Sequence, residues 1–280
     1  MDTAHNGYYF KYAWKDSRSQ SHDTVFGVHT HDIQRGGTEF QKPNLNETSI
    51  VLPKLRPAAE QLAKSLGYDV DLKENSSGFD VHLKGHGLTQ RKAQSVTSQI
   101  TTLRDRILAE HFKEKFYTVV EKQSEKYLRP DYLALTDRYT PFGAVVARAL
   151  DKTSPKDRRG KARHALEFIQ SIPYSRDTPN GADFQTPIGM FTQNQGDCDT
   201  KSVALAAILR EYGIDSVMVV IPEHMFMGVE VTPLPGDHTF SHGGKTFVGL
   251  EPAGEGYPIG QVGPDSLSGL HNGGAEVIDM

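Results

Sequence analysis

Residues 198–251 constrain this chain more than any other stretch. From Cys198 to Tyr212 the apolar residues Val203, Leu205, Ala206, Ile208 and Leu209 recur at helical spacing, and Gly213 supplies a stop. Three short strand-like runs follow: DSVMVVI (215–221), HMFMGVEV (224–231) and KTFVGLE (245–251). The order is a loop, a cysteine, a helix, a strand, a strand opening on His224 and a strand closing on Glu251. Each part has a chemical use. A thiol is nucleophilic only as thiolate, and the dipole and free N–H groups of a helix start favour that form at Cys198. The same N–H groups can hold the oxyanion of a tetrahedral intermediate. His224, at the rim of a sheet, can serve as base, and Glu251 can orient its imidazole. For the oxyanion, the Cys198 N–H is joined by Gln193, Asn194 or Gln195 as side-chain candidates, with Gln195 favoured.

Cys198 is the only cysteine of the 280 residues, so no intramolecular disulfide forms and a four-cysteine zinc site is excluded. With 37% hydrophobic and 24% charged residues, the composition is that of a soluble globular chain, long enough for two modest domains. A net charge of −4 leaves no basic surplus for an electrostatically driven nucleic-acid binder. No apolar run approaches the roughly 18 residues that span a bilayer, so no membrane partner is expected. The stretch MDTAHNGYYFKYAW lacks the charged-then-apolar layout of a secretion signal, and a cytoplasmic location is expected.

Upstream, residues 7–14 and 24–33 read as strands, with Gly36-Gly37 breaking the pattern. A helix from Pro57 to Leu66 stops at Gly67. YDVDL (68–72) and FDVHLKG (79–85) flank a turn at Asn75–Gly78 and form a hairpin, and a helix runs from Leu88 to Tyr117. These elements predict a small N-terminal α+β domain over 1–125, with a second domain over 126–280. Residues 121–160 read as interrupted helix, 154–161 as a solvated loop, 162–172 as helix and 186–197 as loop. The glycine-rich tail after Pro252 either wraps the domain or lies loose.

Three blocks, GDCDTKSVALAAILREYGI (196–214), EHMFMGVEV (223–231) and FVGLEPAGEGYPIG (247–260), resemble the transglutaminase-like superfamily, and within it the bacterial cysteine proteases. The likeness extends over about residues 130–262 and takes in PDYLALTDRY upstream. It implies an α+β, papain-like core, a cysteine-bearing helix packed on an antiparallel sheet. It also implies Cys198 as nucleophile, His224 as base and Glu251 as orienting acid, where aspartate is the commoner choice. No cofactor or metal is implied. The function expected is a thiol peptidase or amidase acting on a protein or peptide through a thioester, with the N-terminal domain recruiting substrate or a protein partner. The alternatives are an acyl transferase using the same thioester and a non-catalytic scaffold.

Other features carry less. His29-Thr30-His31-Asp32 places two histidines on one face of the second strand, without a matching ligand cluster downstream. His82 and His86 accompany the hairpin, and His238 and His242 lie in a loop expected to frame the cleft mouth. KGHGLTQRK (84–92) reads as a solvated helix start. Asp237 and Glu255 are the competing acids.

Overall fold

The computed structural model describes residues 7–40, 47–75, 78–122, 125–176, 184–272 and 274–280. It is mixed α+β with antiparallel sheets, and it divides into two compact units. One unit combines the described residues up to 40 with those from 132 onward, and the other holds the described residues from 47 to 131. The division expected at residue 125 is corrected on both sides. Strands β1 (Gly7–Lys15) and β2 (Ser21–His29) pair antiparallel and bury Trp14, Phe26 and Val28 in the same body as the cysteine helix. Trp14 lies 5.1 Å from Phe168, Tyr12 5.8 Å from Phe191 and Phe26 6.2 Å from Phe142, ring centre to ring centre. Aromatic burial of this kind outweighs nearness in the chain. Phe184 sits 5.0 Å from Phe40 and 6.4 Å from Tyr132, so the chain leaves and re-enters this unit against one side chain.

The second strand stops earlier than its pattern predicts. Its register with β1 ends at the pair Gly7 and His29, and helix α1 (Thr30–Glu39) follows. His29 and His31 therefore do not share a strand face. Gly36 continues the helix instead of breaking it, because a Cβ there would lie 2.9 Å from the Cβ of Ile188 in helix α6 (Pro187–Gln193). The absent side chain is what lets α1 approach α6.

In the other unit, helix α2 (Glu47–Ser65) carries Pro53 and Pro57 inside it and begins well before the expected Pro57. Its Val51, Leu55, Ala59 and Ala63 are buried, as are Val96, Ile100 and Ile107 of helix α3 (Gln90–Lys113), and the two helices pack together. Between them β3 (Asp69–Asn75) and β4 (Gly78–Lys84) form the expected hairpin; Ser76 and Ser77 of its turn lie outside the described residues. Helix α3 ends at Lys113, ahead of Phe116 in the left-handed region (φ 59°). A second hairpin, β5 (Tyr117–Lys122) and β6 (Glu125–Pro130), then replaces the helix expected from 121. Burial of Tyr117 against the end of α3 favours it over continued helix.

The first unit resumes with α4 (Tyr132–Leu150), which passes through Pro141. Helix α5 (Arg158–Gln170) starts inside the expected loop, because the Asp157 side chain accepts from the Gly160 N–H and caps it. Helix α7 (Cys198–Glu211) packs tightly on α4: a Cβ at Gly143 would lie 2.5 Å from the backbone carbonyl of Ala207. Against α7 stand β7 (Ser216–Ile221) and β8 (His224–Val229). With β9 (Thr239–His242), β10 (Lys245–Leu250) and β11 (Glu276–Asp279) they form a five-stranded antiparallel sheet ordered β11-β7-β8-β10-β9. Val217, Val219, Ile221, Phe226 and Phe247 cluster with Val262 and with Leu267 and Leu270 of helix α8 (Pro264–His271). The tail is therefore ordered into the sheet, with β11 pairing along β7. No helix among the described residues is long and apolar enough to cross a membrane.

Candidate active site

Cys198 is the first residue of α7, and the loop before it is tightly defined. The residues expected as loop include α6, capped by Thr186 accepting from the Gly189 N–H, with Pro187 in its first turn. Asn194 closes that helix in a left-handed conformation (φ 52°). Gly196 then lies against residues 173–175: its N–H donates to the Pro173 carbonyl at 3.1 Å, and its carbonyl accepts from the Ser175 N–H at 3.1 Å. A Cβ at Gly196 would meet Met190 Cγ at 2.8 Å, so only glycine threads this position without displacing its neighbour. The Asp197 side chain caps α7 at the Thr200 N–H. The first turn of the helix is otherwise buried, and the half-buried thiol of Cys198 is the group it leaves accessible.

Two charged neighbours are deeply buried. Asp199 accepts from the Thr200 N–H at 2.8 Å and from the Tyr132 hydroxyl at 3.3 Å. Burial, and then the adjacent Asp197 carboxylate, push its carboxyl well above the usual range, so it adds little negative charge beside the thiol. Lys201, 1% exposed, donates to the Ile172 carbonyl at 2.5 Å, and burial pulls its ammonium down to about 8.

His224 opens β8, directly after Glu223 in a left-handed conformation (φ 61°). Its Nε2 lies 2.8 Å from Glu251 Oε1. With Nε2 so engaged, Nδ1 is the ring nitrogen left for the Cys198 thiol, which lies near enough to act on the charge of the ring. The thiol first and Glu251 second raise the imidazole to about 10 against the opposing effect of burial. The imidazolium is therefore the form held at neutral pH.

Register explains why glutamate serves here. β10 pairs with β8 through Leu250 and Met227. Continuing by one residue sets Glu251 opposite Phe226, on the same sheet face as His224 but one diagonal away. Diagonal neighbours stand about 7–8 Å apart, a gap the extra methylene helps to cross. The other carboxylate oxygen accepts from the Gly263 N–H at 3.2 Å and the Ser266 hydroxyl at 3.0 Å, both at the start of α8. The Glu251 main-chain carbonyl accepts from Gln170 Nε2 at 3.0 Å, which also reaches the Tyr257 carbonyl at 2.8 Å. The acid is 3% exposed, with both carboxylate oxygens and its main-chain carbonyl engaged.

Cys198, His224 and Glu251, singled out in the sequence, thus meet. Gln193 and Asn194 are exposed, while Gln195 is half-buried three residues before the thiol. The competing acids stand elsewhere: Asp237 forms a two-pronged ion pair with Arg159 (2.8 and 2.9 Å), and Glu255 is exposed. His238 Nδ1 accepts from the Val262 N–H at 3.3 Å, and His242 belongs to the edge strand β9 rather than to a loop. Among the described residues no group of three His, Cys, Asp or Glu could hold a metal. Gln170, Gly263 and Ser266 escaped the sequence reading because no local pattern links them to Glu251.

No family model matches the chain, and neither does any curated protein or solved structure. The functional reading rests on these side chains alone.

Proposed function

We propose that the chain is a thiol peptidase or amidase of the transglutaminase-like type, built on a papain-like pairing of cysteine helix and antiparallel sheet. One observation carries the reading: a single imidazole near the Cys198 thiol and hydrogen-bonded to a buried, fully engaged carboxylate. In the reaction, the Cys198 thiolate attacks a substrate carbonyl and a C–S bond forms. The negative charge on the carbonyl oxygen is met by the Cys198 N–H, with Gln195 as the side-chain candidate. Collapse breaks the C–N bond, and His224 protonates the departing amine. His224 then takes a proton from water, which cleaves the thioester and regenerates the thiol. The unit spanning residues 42–131 takes the recruiting role in this reading.

The test is acylation by p-nitrophenyl acetate, followed by intact mass spectrometry. Wild type is expected to show a transient acetyl adduct on Cys198 that decays in water, with slow acylation in His224→Ala. An adduct passing chiefly to an added amine marks an acyl transferase. No adduct, or equal acylation of both proteins, would refute a catalytic site.

A further inference from the structure

The residues flanking Gly196 carry an arginine that the proposed chemistry does not use. Lys201 fixes the Ile172 carbonyl, and residues 173–175 run alongside Gly196, which delivers Arg176 to the mouth of the site. Its Nη2 donates to the Glu223 carbonyl at 2.8 Å, the residue before His224. Its Nε donates to the Tyr174 hydroxyl at 2.9 Å. Those two bonds set the guanidinium plane and engage two of its five N–H donors, leaving three open. Arg176 and Tyr174 are both exposed, the latter by 47%.

No carboxylate of a described residue lies within ion-pairing distance of Arg176. Arg159 and Arg163, by contrast, each close on a buried acid, Asp237 and Glu167. The Tyr174 hydroxyl first, and then the charge of a Cys198 thiolate, strengthen the hold of Arg176 on its proton, which sets the guanidinium near the nucleophile. A guanidinium with a fixed plane, open donors and no acidic partner among the described residues, set beside a nucleophile, is arranged to receive an anion. Its planar fork matches a carboxylate.

We propose that Arg176 is the specificity-determining residue of this site and binds a carboxylate carried by the substrate beside the bond that Cys198 attacks. The proposal rests on Cys198 being the nucleophile. The carboxylate is either an acidic side chain or a chain end.

Three alkylating probes separate the cases: N-iodoacetyl-glutamine amide (neutral), N-iodoacetyl-glutamate α-amide (side-chain carboxylate) and N-iodoacetyl-glutamine (chain-end carboxylate). In each, the thiolate forms a C–S bond as iodide leaves. Wild type should react about fivefold faster with one anionic probe than with the neutral one, a size an exposed guanidinium–carboxylate pair supports. The preferred anion names the source. Arg176→Gln should bring that ratio to about one, and Arg176→Lys should keep part of it. The ratio is the readout because a residue that merely positions His224 would slow all three probes alike. Equal ratios in wild type and Arg176→Gln would overturn the proposal. Failure of the neutral probe to label wild-type Cys198 would instead remove the nucleophile itself, and this proposal with it.

Discussion

Replacing Glu251 by glutamine keeps its size and removes its charge, yet the surroundings leave the amide no good orientation. The carboxylate accepts on both sides, from His224 on one and from Gly263 N–H and Ser266 on the other. With the amide oxygen toward His224, its NH2 group faces the Gly263 N–H, donor against donor, which costs roughly 1–3 kcal/mol. With the oxygen toward Gly263, the NH2 group faces His224 Nε2. The ring proton is then driven to Nδ1, where it lies against the thiol and no longer allows the ring to act as base. Either way the imidazolium loses its carboxylate. Glu251 is one of the causes that raise His224 to about 10, so the ring holds its proton less firmly without that charge. A charge-assisted hydrogen bond at the low end of its range, about 1.5 kcal/mol, sets the expected loss in rate at about tenfold. The assay is the rate of Cys198 alkylation by iodoacetamide from pH 5 to 11. Glu251→Gln should react about tenfold more slowly than wild type at pH 7, and the deficit should narrow as pH rises through about 10, where His224 loses its proton in wild type as well. Superimposable profiles would show that Glu251 does not sustain the pair.

Cys198→Ala should lower the titration midpoint of His224 from about 10, because the thiol is the largest cause of its elevation; imidazole NMR signals would report it. The same shift sets a pH dependence of stability. The folded-state pKa lies above the unfolded value of about 6.5, so this stabilisation is complete below 6.5 and is lost as pH rises through 10. Denaturant titrations at pH 6 and 10 should therefore differ more for wild type than for Glu251→Ala. Gly143→Ala should destabilise the protein by about 1–2 kcal/mol, since crowding against the Ala207 carbonyl exceeds the gain of about 1 kcal/mol in helix propensity. Its melting temperature relative to wild type decides this.

The helix of Cys198 and the strands of His224 and Glu251 were legible because each is a continuous apolar run between strong punctuation. Their meeting could be inferred only from order and resemblance. Helix α6 was hidden because Gly189 and a polar end, Thr192 to Gln195, obscured the cap and proline at Thr186-Pro187. The hairpin at 117–130 was hidden by the charged residues of EKQSEK, which mask a period of two. The alternation of Thr24, Phe26 and Val28 identified the second strand, but nothing local said what would cover it. Its partner strand reaches Phe191 through the Tyr12 hydroxyl across 179 positions of sequence. The anchors of Glu251 on α5 and α8 are likewise a matter of tertiary placement, since a glutamine, a glycine and a serine announce nothing by themselves.

Phe40 and Tyr132 both touch Phe184, and this makes the intervening segment a tether pinned at two neighbouring points. When that segment of about 90 residues is unfolded, pinning its ends costs about 4 kcal/mol of chain entropy beyond a constant term. When it is folded, the freedom has already been surrendered. The stability of the body that holds Cys198 is thus linked to the folding of the inserted body through the two covalent crossings. A cavity at Ile100 or Leu55 would then loosen the thiol site by mass action.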